Sequence, residues 1–258
     1  MDENMPCSFC VPSCDGKEYN PAKEYCAGDS VKKYGFVTYK NKTYKTVEIG
    51  SLVWMAENIN VVEGIKYNNS DNAADSLKCN KYDCDKYGRL YDWATAMQLP
   101  LKCSNISSTS SDADCKISTP HKGICPPGWH ISRFFEWSEL KKFVDSSFAG
   151  KNLKATKGWN SYNGKSGNGY DIYGFSALPG GYGYEKITPD IFDLPIFSGL
   201  SLPYKNVVGS MGYWWIVEDN TGAADSAYYS YMAFDRDEVF LDRRKKLYSH
   251  NVRCVRDN

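Results

Sequence analysis

"CPPGWHISRFFEW", residues 125–137, sets a cysteine, a proline pair, a Gly-Trp-His and a second tryptophan side by side. Two readings compete for it. In one it is the mouth of an active site, with His130 and Glu136 as acid and base. In the other it is a joint where a disulfide, a turn and a helix start coincide. Pro126-Pro127-Gly128 suits a turn, because proline pre-sets its φ and glycine enters left-handed backbone without strain. Beyond it, Phe134, Trp137, Leu140 and Val144 recur at helical spacing, and Ser132 is placed to cap that helix. His130 and Glu136 straddle the helix start, so their side chains need not meet. The joint is the favoured reading: Trp129 in the core, His130 packed and hydrogen-bonded at the helix entry, and no catalytic residue.

The composition is that of a globular chain, with 258 residues, 42% hydrophobic and 24% charged, enough to bury a full core. Lys plus Arg equals Asp plus Glu at 31 each, which leaves no basic field to collect nucleic acid or anionic lipid. No apolar run is long enough to span a membrane. Tyr 20 and Trp 7 are high counts, and such rings serve packing, interfaces and stacking on sugars. Ten cysteines against three histidines supply mixed zinc sites poorly, while an even count in close pairs suits disulfides and an oxidising compartment. The expected location is extracellular, at the cell surface. The first residues lack the basic and apolar regions of a secretory signal, so a leader or anchor is expected outside this sequence.

Residues 1–35 form a cysteine-rich arm, poor in aliphatics, that needs staples in place of a core. Its Cys7, Cys10, Cys14 and Cys26 offer four thiolates to zinc, but the second half lacks the Cys-x-x-Cys knuckle of ribbon-type sites. A disulfide-stapled arm is expected instead. Residues 36–258 make the main domain. Strands are expected around turns at Asn41-Lys42 and Gly50-Ser51. An Asn/Asp-rich insertion follows at 60–86. Leu90, Trp93, Ala94 and Met97 share one face of a helix that stops before Pro100. The remainder is Gly-, Tyr- and Trp-rich with short strand-like runs. Two helices in the middle and strands at both ends give an α+β domain with long, disulfide-tied loops.

The chemical motifs fail on spacing. Gly158 to Gly164-Lys165-Ser166 has one residue too many for a phosphate loop, and no helical pattern follows Ser166. No Gly-x-Ser-x-Gly elbow exists. Asn168, Asp171 and Asp190 could supply oxygen ligands to calcium from Gly-rich surroundings, although a solvated loop is the plainer reading. No other cofactor is expected.

Several phrases in order resemble one family: "GSLVWMAENIN", "YGRLYDWATAM", "GICPPGWHISRFFEW", "DIYGFSALPGGY", "GYWWIVEDN" and the terminal "VRCVRD". Over about residues 36–257 the chain looks like the Fibrobacter succinogenes major paralogous domain. Ile131-Ser132-Arg133 departs from the Leu-Pro-Thr usual after Gly-Trp-His, and 60–86 looks expanded. The resemblance implies an exported, surface-associated protein with a C-type-lectin-like fold shared with formylglycine-generating enzymes. Those enzymes rely on a reactive cysteine pair in the C-terminal half, and no cysteine lies between Cys125 and Cys254 here. That lowers the enzyme reading, and a binding, adhesion or display role takes its place. A structural subunit of a surface appendage is the alternative.

Five disulfides are expected. The short pairs are Cys7–Cys10 (or a swap within the arm), Cys14–Cys26, Cys79–Cys84 and Cys103–Cys115, and the long one is Cys125–Cys254. The expected contact residues are the loop aromatics of 155–215, above all Trp159, Tyr162, Tyr182 and Trp215, with Tyr170, Tyr184 and Tyr204 beside them. The adjacent Trp214 and Trp215 should face opposite sides of a strand, one in the core and one in contact with ligand. The expected partner is a polysaccharide or a cell-surface protein, with assembly into a larger surface structure as a further option.

Overall fold

The computed structural model describes residues 13–27, 29–62, 77–79, 83–184, 208–220 and 222–257. The arm starts with the hairpin β1 (Ser13–Cys14) and β2 (Lys17–Glu18), turned through Asp15 and Gly16 at positive φ. A second hairpin follows, β3 (Glu24–Ala27) and β4 (Ser30–Lys33). The Cys14–Cys26 disulfide joins the two hairpins. Two of the four thiolates weighed for zinc are therefore bonded to each other. Tyr25 is buried among the aromatics of the main domain, so the arm is not a free appendage.

β5 (Gly35–Tyr39) and β6 (Lys42–Ile49) meet at Lys40-Asn41, with φ of 49° and 62°. Positive φ at both turn positions gives the twist that a two-residue hairpin needs. β7 (Leu52–Met55) returns through Gly50-Ser51. After β8 (Leu77–Cys79), the one-turn α1 (Cys84–Tyr87) is capped by Asp83, whose side chain accepts from the Lys86 N–H. β9 (Arg89–Asp92) then runs directly into α2 (Trp93–Met97). The expected single helix face is divided here, with Leu90 on the strand and Trp93, Ala94 and Met97 on a five-residue helix. Asp92 is the cause: its carboxylate accepts from Thr95 N at 2.9 Å and from Thr95 Oγ1 at 2.6 Å, starting the helix between them. Every residue of α2 is buried, so no polar face exists.

Cys103 and Cys115 close the polar loop between them, as expected. β10 (Trp129–Ile131) and α3 (Phe134–Phe143) form the opening stretch, followed by the short α4 (Ala149–Leu153). The Gly-Lys-Ser segment lies in a hairpin, β11 (Ser161–Tyr162) with β12 (Lys165–Ser166), turning at Asn163-Gly164. Then come β13 (Gly183–Tyr184), β14 (Met211–Trp215), β15 (Ser226–Ala233), β16 (Phe240–Lys245), β17 (Tyr248–His250) and β18 (Cys254–Arg256).

These strands make three main antiparallel sheets, ordered β10-β18-β7-β6-β5, β13-β17-β9-β8 and β14-β15-β16. Cys125–Cys254 ties the turn before β10 to β18, its sheet neighbour. The result is a mixed fold of few, short helices and many antiparallel strands.

β14 divides the interior. Trp214 enters a cluster with Trp54, Trp137 and Phe175, and Trp215 enters the other with Trp93, Tyr213 and Tyr229. The two indoles do face opposite sides, but both are 0% exposed, because each side of this strand is a core. The expectation that one of them is a ligand contact is corrected accordingly.

Candidate functional site

The opening stretch is a joint. Trp129 and Trp137 are buried, and Pro126 O accepts from Trp129 N across the turn. Ser132 is not the helix cap. It is fully buried, and its Oγ accepts from Trp137 Nε1 at 2.9 Å. Arg133 takes the cap position, with its N–H bonded to Glu136 Oε2 at 2.8 Å. His130 and Glu136 do meet: His130 Nε2 lies 2.8 Å from Glu136 Oε1, and Nδ1 lies 2.6 Å from Asp257 Oδ1. Burial opposes charge on this ring, yet Glu136 and then Asp257 outweigh it and raise the His130 pKa. With a carboxylate on each nitrogen, the ring has no site left to exchange a proton with a substrate. The trio clasps the last residues to the helix entry.

A second polar centre is also structural. Asn58 Oδ1 accepts from Trp214 Nε1 at 2.7 Å and from Arg253 Nε at 3.1 Å, while its Nδ2 donates to Tyr87 O at 2.8 Å. Arg253 donates further to the carbonyls of Phe175 and Ser176. A third is the buried pair Lys246–Asp219 at 2.8 Å, where Asp219 also accepts from Ser108 N and so holds the disulfide loop down.

The sequence-derived contact residues scatter. Trp159 is 5% exposed, its Nε1 bonded to Ala177 O, and Trp215 is fully buried with Nε1 bonded to Tyr91 O. Neither offers a stacking face. Glycines around an indole mark close packing here as readily as a loop tip. Tyr162 is exposed, on the β11–β12 hairpin against Phe234. Tyr170 is exposed over Lys151. Tyr182 is half-buried. Tyr204 and the Tyr184 side chain lie outside the described residues, as do Cys7, Cys10 and the Cys79 side chain. Cys84 is disulfide-bonded.

The oxygen atoms considered for calcium are already engaged. Asn168 Oδ1 accepts from Trp159 N, and both Asp171 oxygens accept from Ser176 at 2.7 and 2.5 Å. Burial raises the Asp171 carboxyl to about 7, against the pull of Ser176 and Arg253. Asp190 lies outside the described residues.

Tyr182 leads to the one arrangement that structure alone makes visible. Directly paired residues of an antiparallel sheet share a face. The pairs Tyr213↔Tyr231 and Tyr231↔Phe240 therefore make one cross-strand row, and Trp215↔Tyr229 and Tyr229↔Asp242 the next. Tyr231 stacks on Phe240 at 4.9 Å between centroids. Tyr182 packs edge-on to Tyr213 at 5.4 Å and beside Tyr248 at 5.7 Å. The guanidinium of Arg244 lies among them, 4.2 Å from the Tyr248 ring and 4.6 Å from Tyr182. Burial raises the Tyr213 hydroxyl to about 12, with Arg244 pulling it back. Tyr182, Tyr231, Phe240 and Arg244 remain partly open to solvent, at the rim of the core.

The face sets flat rings beside one cation. Tyr229, Tyr231, Phe240 and Arg244 lie outside every phrase that carries the family resemblance. Only their alternation along residues 226–245 hinted at a shared face. No helix of the described residues is long and apolar enough to cross a membrane. No curated protein and no solved structure matches the chain. The family model of the Fibrobacter succinogenes major domain matches residues 47–256, which takes in the Asn58 and Lys246 centres whole, the His130–Glu136 pair but not Asp257, and most of both cores. The chain belongs to the Fibrobacter succinogenes major domain family.

Proposed function

We propose that this chain is an exported binding domain of the cell surface, and that its contact surface is the aromatic face of Tyr182, Tyr231 and Phe240 beside Arg244. The ligand is a polysaccharide. The observation that carries this is the row of rings on one side of β14-β15-β16, half-open where a packed core would be closed. Rigid aromatic faces bind sugar rings at low entropic cost. The disulfides Cys14–Cys26, Cys103–Cys115 and Cys125–Cys254 support an oxidising, extracytoplasmic location. The antiparallel sheets and the long bridge from helix entry to last strand support a C-type-lectin-like fold. A binding role is preferred to catalysis because the His130 ring is saturated by carboxylates.

A second reading, a subunit of a larger surface assembly, draws on Phe134, Phe135, Phe143 and Phe148, which are 38–55% exposed along α3 and just before α4.

Retention on insoluble cellulose and on a glycan array, with calcium and with chelator, tests the proposal. Wild type should be retained on at least one polysaccharide. A Tyr231→Ala, Phe240→Ala double variant with an unchanged melting curve should lose at least ten-fold in affinity. No retention on any polysaccharide would move the assignment to the assembly subunit.

A further inference from the structure

The aromatic face holds a charge without a counter-charge. Arg244 has four tyrosine rings around it, with Tyr213 and Tyr229 at 5.7 and 6.0 Å completing the set begun by Tyr248 and Tyr182. Two other arginines find acceptors: Arg133 pairs with Glu218, and Arg253 bonds to Asn58 and two carbonyls. Among the described residues no carboxylate lies within ion-pair distance of Arg244. Asp242, the acid nearest along the same face, is turned to the Tyr229 hydroxyl at 3.5 Å. One guanidinium nitrogen, Nη1, is buried with no acceptor. The Tyr213 hydroxyl takes one hydrogen bond from the guanidinium, while ring faces attract the cation without accepting in its plane, so Nη1 is left without an acceptor.

The residue behind this face keeps the charge count at one. His250 is fully buried and stacks on Tyr213 at 5.2 Å, and neither ring nitrogen has a partner of good geometry. Burial, and then the Arg244 charge, push its pKa well below the ordinary value, so it stays neutral. The chain has zero net charge, so no long-range field draws anions here. Any preference for an anion must be local to Arg244.

We propose that Arg244 is the anion-recognition point of this face, and that the polysaccharide bound is an acidic one. The carboxylate of a uronic acid meets the edge of the half-buried guanidinium away from Nη1, and the sugar ring stacks on Tyr182 or Tyr231. The planar fork matches a carboxylate in two parallel hydrogen bonds, which a lysine in the same place would not make. This inference rests on the polysaccharide reading above and narrows it to a class.

Titration calorimetry with polygalacturonate, its fully methyl-esterified form and neutral arabinoxylan tests it. Wild type should bind the acid at least ten-fold more tightly than the ester, with affinity falling as salt rises. Arg244→Gln should erase that preference, and Arg244→Lys should keep only part of it. The acid–ester comparison on wild type needs no variant, so a poorly folded Arg244→Gln protein leaves the question decidable. Equal affinity for acid and ester overturns the inference, and binding of arabinoxylan alone does so while sparing the polysaccharide reading. If none of the three probes binds, the inference falls, and the polysaccharide reading stands or falls with the retention test above.

Discussion

Asn58 shows how much can hang on one short side chain. Its Oδ1 is the shared acceptor for Trp214 Nε1 and Arg253 Nε, both buried. Asn58→Ala strands two donors, one of them charged, and should cost about 3 kcal/mol or more, since each buried unsatisfied group forfeits its desolvation. Urea denaturation reads this directly, and an unchanged midpoint would refute the hub. His130 makes a prediction with a sign. Its pKa is raised in the folded state above the ordinary 6.5, by carboxylates that outweigh burial. Its stabilising contribution is thus complete below the unfolded value and is lost as pH rises through the raised one. The stability gap between wild type and His130→Gln should be largest near pH 6, about 1–3 kcal/mol for charge-assisted bonds, and should shrink through neutrality. A gap that stays constant from pH 6 to pH 9 contradicts the clasp. The sequence announced a packed histidine at the helix entry but not this trio, because Asp257 reaches it from the far end of the chain. Local spacing carries no record of such a partner.

At the scale of elements, local signals were legible and shared ones were not. The turn at Gly50-Ser51 and α3 from Phe134 are written in neighbouring residues, and the first hairpin turns at Lys40-Asn41, one residue before the expected Asn41-Lys42. The boundary between β9 and α2 was misread because Leu90, Trp93, Ala94 and Met97 fit a helix period that a fully buried strand–helix joint also satisfies. β14 is the sharper case. Alternation places Trp214 and Trp215 on opposite faces, but it does not say that both faces are cores. Trp214→Ala and Trp215→Ala should therefore each cost about 3–5 kcal/mol, and Trp137→Ala the same. If one of the β14 pair were to change stability by less than about 1 kcal/mol, that side of the strand would be a surface and the two-core description would be wrong.

For the whole molecule, the phrases that mark the family are the ones that hold it together. Asn58, Phe175, Trp214 and Arg253 all fall within them and all meet at one buried centre. Family membership was legible for that reason, and it speaks for architecture. The candidate face adds Tyr229, Tyr231, Phe240 and Arg244, which the phrases leave out, to Tyr182 and Tyr213, which lie within them, and the pairing across β14, β15 and β16 brings them together. The Cys125–Cys254 bridge closes a loop with a sequence separation of 129. Its removal by a Cys125→Ser, Cys254→Ser double substitution should cost about 4–5 kcal/mol in the chain-entropy account, measured by denaturation without reductant. A loss below about 1 kcal/mol would mean the ends of the domain are held by packing alone. The most direct test of the central claim is to map contacts by amide chemical shifts as a galacturonate oligosaccharide is titrated into labelled protein. Shifts should concentrate at Tyr182, at Tyr229 to Tyr231 and at Phe240 to Arg244. Shifts confined to Phe134, Phe143 and Phe148, or none at saturating oligosaccharide, would contradict the account.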